Sequence, residues 1–274
     1  MMRLIFVFTV LLFSLSSASA QEDSDQQFLE FNLSGHSKDG QKSWEVKGES
    51  ADIFSDTVRL KNVNADLYGQ EKVNLKADSG SLNKASGDMH LEKDVVAITE
   101  TGSKLTTDSL DWKRDANLIT TEDKVKIEKE NLVAVGTGAE AKTDIKKAKL
   151  KDDVTVEIAT VDENKNLKKT VITCDGSLDI DYQNSIAVFN KNVLVEDEQG
   201  KIFSDLMEVY FDTKTKSIIK IIAKGHVKIK RQENESYSEE AVYTVADKKI
   251  TLIGRPKLIL YSEQGALNNA PFGN

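Results

Sequence analysis

Short runs in which apolar and polar residues alternate occur throughout the chain beyond residue 28. They include Val73-x-Leu75-x-Ala77, Val125-x-Ile127, Val154-x-Val156-x-Ile158, Val193-x-Val195, Val227-x-Ile229 and Leu258-x-Leu260. Successive side chains of a strand point to opposite faces, so a period of two with β-branched residues predicts half-buried β-strands. No long stretch repeats at 3.6 residues, and no amphipathic helix is expected. The runs are also regularly spaced. A small residue followed by an acid stands at Ala51-Asp52, Ala77-Asp78, Thr107-Asp108, Ala139-Glu140, Cys174-Asp175, Ser204-Asp205 and Ser238-Glu239.

What surrounds these pairs recurs in one order: an apolar or aromatic residue, a polar turn, an aliphatic strand, a charged or glycine corner, and a Val-x-Ile strand. The segments starting at Ser109, Ser177, Glu208 and Ala241 all follow it. Their turns are rich in Asp, Asn and Lys, as expected where antiparallel strands reverse. A period of about 30 residues points to stacked supersecondary units, each unable to bury its apolar face alone. Two strands per unit at about 4.8 Å spacing add about 10 Å per unit, so seven units predict a body about 70 Å long. With alternate residues facing inward, an apolar strip should run the length of the stack. The fold expected is all-β and elongated.

The first twenty residues follow a different pattern. Arg3 precedes an apolar run from Leu4 to Leu15, then Ala18-Ser19-Ala20 and an acidic polar stretch. That is the order of a secretory signal with an A-x-A cleavage site. The run covers about 18 Å at 1.5 Å per residue, short of the roughly 30 Å hydrocarbon core of a bilayer. Cleavage after Ala20 is the favoured reading, and an uncleaved anchor using residues 4–20 is the competing one. Both put the rest of the chain outside the cytoplasm. No cysteine follows the run, which argues against a lipoprotein anchor.

Composition narrows the function classes. The 274 residues are 39% hydrophobic and 30% charged, enough apolar material for a core and too much for a disordered chain. The formal net charge of −8 provides no bulk basic surface for nucleic acid. Cys174 is the single cysteine, so no internal disulfide framework and no cysteine-rich zinc site can form. His36, His90 and His226 are far apart in sequence and show no metal-ligand spacing, which makes them surface residues. Cys174 begins a strand after Val171-Ile172-Thr173 and reads as a small buried residue rather than a nucleophile. The acids of the small-acid pairs read as a ladder of solvated corner residues rather than a catalytic carboxylate set. No cofactor and no metal is called for, and the protein is not expected to be an enzyme.

Phe31-x-Leu33, WEVKGESADI from Trp44, LTTDSLDW from Leu105, ITTEDKVKI from Ile119 and GTGAEA from Gly136 together resemble LptC, a periplasmic component of lipopolysaccharide export. From about Val171 to Tyr261 the chain resembles the organic-solvent-tolerance (OstA) and LptA-type module. The matching features there are the corner at Gly225-His226-Val227-Lys228-Ile229 and ITLIGRPKLIL from Ile250. Order and spacing carry the resemblance, since no motif in it is as specific as a metal-ligand signature. It implies a V-shaped β-jellyroll of stacked antiparallel strands, open along one side, that holds lipopolysaccharide acyl chains inside. The expected organisation is a signal or anchor over 1–20, an LptC-like jellyroll over 28–160, an LptA/OstA-like module over 161–262 and a polar tail over 263–274.

The groove candidates are Val95, Ala97, Val125, Ile127, Val154, Val156, Val193, Val195, Val227, Ile229, Leu258 and Leu260, with Trp112 and Phe211 near the turns. From the residues alone an ordinary packed interior between two sheets is the favoured reading; the resemblance reverses this and implies the lipid groove. It also implies partners: lipopolysaccharide, the permease subunits of an inner-membrane ABC transporter, and an LptA-like jellyroll docking by edge strands, in the periplasm of a Gram-negative-type cell. The edges expected to dock are the first strands, with Trp44, Val46 and Ile53, and the last, with Leu258, Ile259 and Leu260. Gly136 and Gly138 allow close backbone approach where two modules join, or a simple turn. No Gly-rich phosphate loop is present, so energy must come from a partner ATPase. Two other classes remain open: a polysaccharide-active enzyme on a β-helix, against which stand dispersed acids and few arginines, and a structural surface or filament protein.

Overall fold

The computed structural model describes residues 24–261 except 38, 70, 143–146, 162–164 and 216. Residues 1–20 and 263–274, assigned above to a signal segment and a tail, lie outside the described residues. Among the described residues there are seventeen strands: β1 (Gln26–His36), β2 (Lys42–Ile53), β3 (Thr57–Tyr68), β4 (Lys72–Asn83), β5 (Met89–Thr99), β6 (Lys104–Lys113), β7 (Leu118–Lys129), β8 (Leu132–Lys142), β9 (Lys147–Val161), β10 (Leu167–Cys174), β11 (Leu178–Asp181), β12 (Ile186–Asp197), β13 (Gly200–Phe211), β14 (Ile218–Arg231), β15 (Asn234–Thr244), β16 (Lys249–Ile253) and β17 (Lys257–Ile259). Each pairs antiparallel with its sequence neighbour as far as β9. There one line of the sheet is shared: β10 and β11 each pair with both β9 and β12. The meander then continues to β15, whose outer neighbour is again divided, into β16 and β17.

The longer strands turn a corner at mid-length, and β10 with β11, and β16 with β17, each make one line broken at the corner. β3 shows how. Val58 and Leu60 are buried before the corner, Val63, Ala65 and Leu67 after it, and the exposed Asn62 between them shifts the phase by one residue. Asn62 has φ 52°. Along the stack two corner residues oppose one. Lys93 and Asp94 lie across from Asp108, Lys191 and Asn192 across from Asp205, and Gly225 and His226 across from Glu239. This is the geometry of a β-bulge. Left-handed φ recurs at Lys93, Asp94, Gly138, Asp153, Lys191, Asn192, Gly225, His226, Gly254 and Arg255. Asn, Asp, His and Gly tolerate that region best, which accounts for most of the residue types found there.

The corners divide the sheet into two arms. Arm A contains the β3 residues 57–61 and arm B residues 63–68, and every other line of the sheet contributes to both arms in the same way. Because the phase shifts at each corner, both arms turn an apolar face inward. The fold is therefore an elongated, all-β, V-shaped jellyroll. Its interior forms two clusters of buried residues, one from Phe31 to Trp112 and one from Val125 to Ala241, and Leu105 packs against both. The outer faces carry cross-strand ion pairs such as Lys149–Asp179 (3.2 Å), Lys169–Glu157 (2.8 Å) and Lys201–Glu196 (2.8 Å). Exposed pairs of this kind contribute about 0–1 kcal/mol each, so burial of the inward rows dominates stability.

The asymmetry of the two faces can be measured at β5. Leu91 faces inward and is 1% exposed, while its neighbour His90 faces outward and pairs with Asp111 at 2.9 Å. Leu91→Ala should cost about 2–5 kcal/mol in urea unfolding and His90→Ala about 0.5 kcal/mol or less. Equal effects would mean that the interior is not the stabilising element.

Candidate functional site

At the corner, arm B begins with a row of valines set against small residues. Val63 pairs with Ala77, Val95 with Thr107, Val125 with Gly136, Val154 with Cys174, Val193 with Ser204 and Val227 with Ser238. Five of these partners identify what the small-acid repeat is. In five of the seven pairs, from Ala77-Asp78 to Ser238-Glu239, the small residue faces the interior at the corner and the acid lies exposed on the outside. Ala51-Asp52 and Ala139-Glu140 sit a few residues beyond their corners. Cys174 belongs to this row as one more small side chain. It is 3% exposed, and burial pushes its thiol pKa up, which disfavours the nucleophilic thiolate.

The groove candidates fall on identifiable rows. Val95, Val125, Val154, Val193 and Val227 are at most 1% exposed and form the sealed floor of the V. Ala97, Ile127, Val156, Val195, Ile229 and Leu258 belong to the next row of arm B. That row is paired without a break from β1 to β17: Leu33, Val46, Ala65, Leu75, Ala97, Leu105, Ile127, Ala134, Val156, Ile172, Val195, Ile202, Ile229, Ser236, Leu258. Only Ser236 interrupts its apolar character. Trp112 lies on arm A, between Met89 and Ile119. Phe211, at the tip of arm A, stands edge-to-face with Tyr182 at 5.9 Å. Leu258 is 63% exposed and Leu260 68%, since among the described residues no strand lies beyond β17 to cover them.

Alternation alone did not find the facing row of arm A. It runs Ala51, Leu60, Gly80, Leu91, Leu110, then Thr121, Ala139, Leu150, Leu178, Phe189, Met207, Ala223, Ala241, Leu252. Here side-chain size varies and Val-x-Ile runs are absent. Near the C-terminal end the arms close on each other. Ile202 and Ile229 of arm B and Ile221 and Tyr243 of arm A enclose a cavity of about 20 Å³, room for about one water. Half-buried Leu105, Ile127, Leu132, Ile158, Val195 and Ile202 line the interior towards the mouth.

Two expectations change. The N-terminal edge is not at Trp44, Val46 and Ile53. β1 covers that strand, pairing Gly35 with Trp44, Leu33 with Val46 and Gln26 with Ile53, and Val46 is fully buried. The free edge therefore belongs to β1, whose Phe28 and Leu29 are 48% and 72% exposed. At the other end, the Tyr261 amide donates to Asn234 Oδ1 of β15 at 3.0 Å. Amides two residues apart point the same way, so the Ile259 N–H also turns towards β15, and those of Leu258 and Leu260 face the open side. Gly136 and Gly138 serve the corner of β8 and not the passage between the two halves of the chain, which falls between β9 and β10. A Cβ on Gly136 would lie 3.2 Å from the Asp152 carbonyl oxygen, and Gly138 has φ 70°.

The three histidines carry no interior chemistry, and His226 and His90 pair with acids on the outer face. His226, at the β14 corner, bonds through Nδ1 to Asp205 Oδ2 at 2.7 Å, and this hydrogen bond, with the charge of Asp205, holds its pKa above the ordinary histidine value. Among the described residues no group of three or more His, Cys, Asp and Glu is placed to hold a metal ion, and no helix is long and apolar enough to cross a membrane. A raised folded-state pKa stabilises the fold fully below the unfolded value and ceases to do so as pH rises through the folded value. Asp205→Asn should therefore lower the His226 pKa in an NMR titration and remove that pH dependence. An unmoved titration would mean that the pair does not form in solution.

Comparison with known proteins follows the same two-part division. Residues 3–159, more than half of the chain, match the family model described as "Lipopolysaccharide-assembly, LptC-related". Residues 172–268 match "LptA/(LptD N-terminal domain) LPS transport protein". No curated protein matches the chain. A jellyroll whose inward rows run through both matched regions accords with these models, and the chain belongs to the LptC-related lipopolysaccharide-assembly family.

Proposed function

We propose that the protein is a periplasmic carrier in lipopolysaccharide export. In this reading it shields the acyl chains of lipid A between its arms on the way from an inner-membrane ABC transporter towards the outer membrane. The observation that supports this best is the arm B row that stays paired from Leu33 to Leu258. It crosses from the LptC-matched to the LptA-matched region at Val156 and Ile172, which are directly opposed. A lipid moving along such a row exchanges one apolar neighbour for the next and meets no polar barrier at the join. Burial of roughly 0.8 kcal/mol per CH₂ supplies affinity without any catalytic group. The small cavity between the arms means that an acyl chain enters by parting them from the mouth, where the half-buried side chains lie.

Docking in this reading uses the two sheet ends: β1 towards the transporter and β17 towards an LptA-like jellyroll, each adding a strand to an unpaired edge. A hollow of about 540 Å³ beside the C-terminal edge, lined by Phe203, Tyr237, Lys228 and Arg255 among others, gives an arriving module further contact area.

Two experiments test the parts separately. A photo-crosslinker at Ile127, Val195 or Ile202 should form lipopolysaccharide adducts, and one at the outward neighbours Lys126, Glu196 or Lys201 should not; equal labelling of both sets would overturn the interior path. Leu258→Pro removes an amide that faces away from β15, so the protein's own sheet should tolerate it. Assembly with an LptA-like jellyroll should weaken by about tenfold or more, and unchanged assembly would exclude β17 as the junction.

A further inference from the structure

Trp112 is 7% exposed, and its indole Nε1–H has no acceptor. Its neighbours across the sheet are Met89 and Ile119, which have none to offer. A buried donor left without a partner costs about 1–3 kcal/mol, whereas a phenylalanine would fill a similar apolar site without that cost. Other buried polar groups of the interior are accounted for. The Thr107 and Thr121 hydroxyls bond each other at 3.2 Å. The Ser204 and Ser238 hydroxyls are also without partners, but both stand opposite a valine in the corner row, where small size explains the residue.

Trp112 is not in a small position. On β6 it lies beyond Leu110 from the corner and one residue before the strand ends at Lys113, on the mouth side of the interior. A chain inserted tail-first from the mouth keeps its head end at that depth. An acyl chain carries a carbonyl oxygen there, and an alkyl chain does not. Resting on the carrier reading above, we propose that the Trp112 N–H donates a hydrogen bond to the carbonyl oxygen at the head of a bound acyl chain. This bond sets the depth of insertion and makes the site selective for acyl-linked over ether-linked lipids. The donor's missing partner is then part of the cargo, and the interior distinguishes lipids by more than their apolar length.

The test uses the whole protein and two probes of equal chain length, a 1-acylglycerol ester and the corresponding 1-alkylglycerol ether, each competing with fluorescent lipopolysaccharide. Wild-type protein should prefer the ester by about tenfold, the value of one such bond. Trp112→Phe should abolish the preference by weakening ester binding alone, with an unfolding midpoint unchanged or higher. The Trp112 indole N–H resonance should move downfield with the ester and not with the ether. A preference that survives in Trp112→Phe, or equal loss for both probes, would overturn the assignment. Wild-type protein that binds lipopolysaccharide without any ester preference would overturn this assignment and leave the carrier reading standing. Failure to bind lipopolysaccharide at all would overturn both.

Discussion

Every line of this sheet has to pass from one arm to the other and still present apolar side chains to the interior on both. A sharp bend has a longer path on its outer side than on its inner side, and strict alternation supplies no extra residue there. One extra residue at the corner resolves this and shifts the phase. The left-handed conformations that the bulge requires cost about 1–2 kcal/mol for an ordinary side chain and less for Asn, Asp or Gly. The valine that heads arm B on alternate lines gains about 1.5–3 kcal/mol from full burial. Burial wins, narrowly for Lys93 and Lys191 and more comfortably for Gly225, so the corners are sustained by the row they create.

Repetition of that one device explains why the sheet runs unbroken through the described residues. Each line of the sheet has paired neighbours on both sides except the first and the last. The two matched family regions are therefore joined by the same ladder hydrogen bonds that join any two strands within them. The long β9 with β10 and β11 beside it carries the sheet across the join, and the corner there is served by Cys174 and Gly176 as others are by Thr107 or Ser204. What the stack leaves unfinished is confined to its two ends. An apolar interior that continues to an open edge, with Leu258 still in line with Ile229, is suited to continuation by another unit of the same kind.

Much of this was legible beforehand, and unevenly. Strands, the absence of helices and the 30-residue unit followed from alternation and spacing, because Val-x-Ile runs in arm B announce a strand whatever surrounds them. Arm A was less visible. Its row mixes Gly80, Leu91, Thr121, Ala139 and Phe189, and no local pattern distinguishes these from outward residues until their pairing is known. The small-acid pairs were noticed as a repeat, but their meaning required seeing that the small residue opposes a valine and the acid faces water. The sheet edge was misplaced at Trp44 because β1, with Phe28-Leu29-Glu30-Phe31, does not alternate cleanly across its corner at Glu30.

The amino-acid sequence by itself determined the kind of element, the repeat length and the existence of an apolar strip, since these depend on neighbours two residues apart along one strand. It did not determine which strand lies at the end, which residues form the sealed floor and which line the mouth, or that Trp112 keeps a donor without a partner. Those depend on contacts between residues 10 to 40 positions apart, and they are decided only when the corners bring two arms face to face.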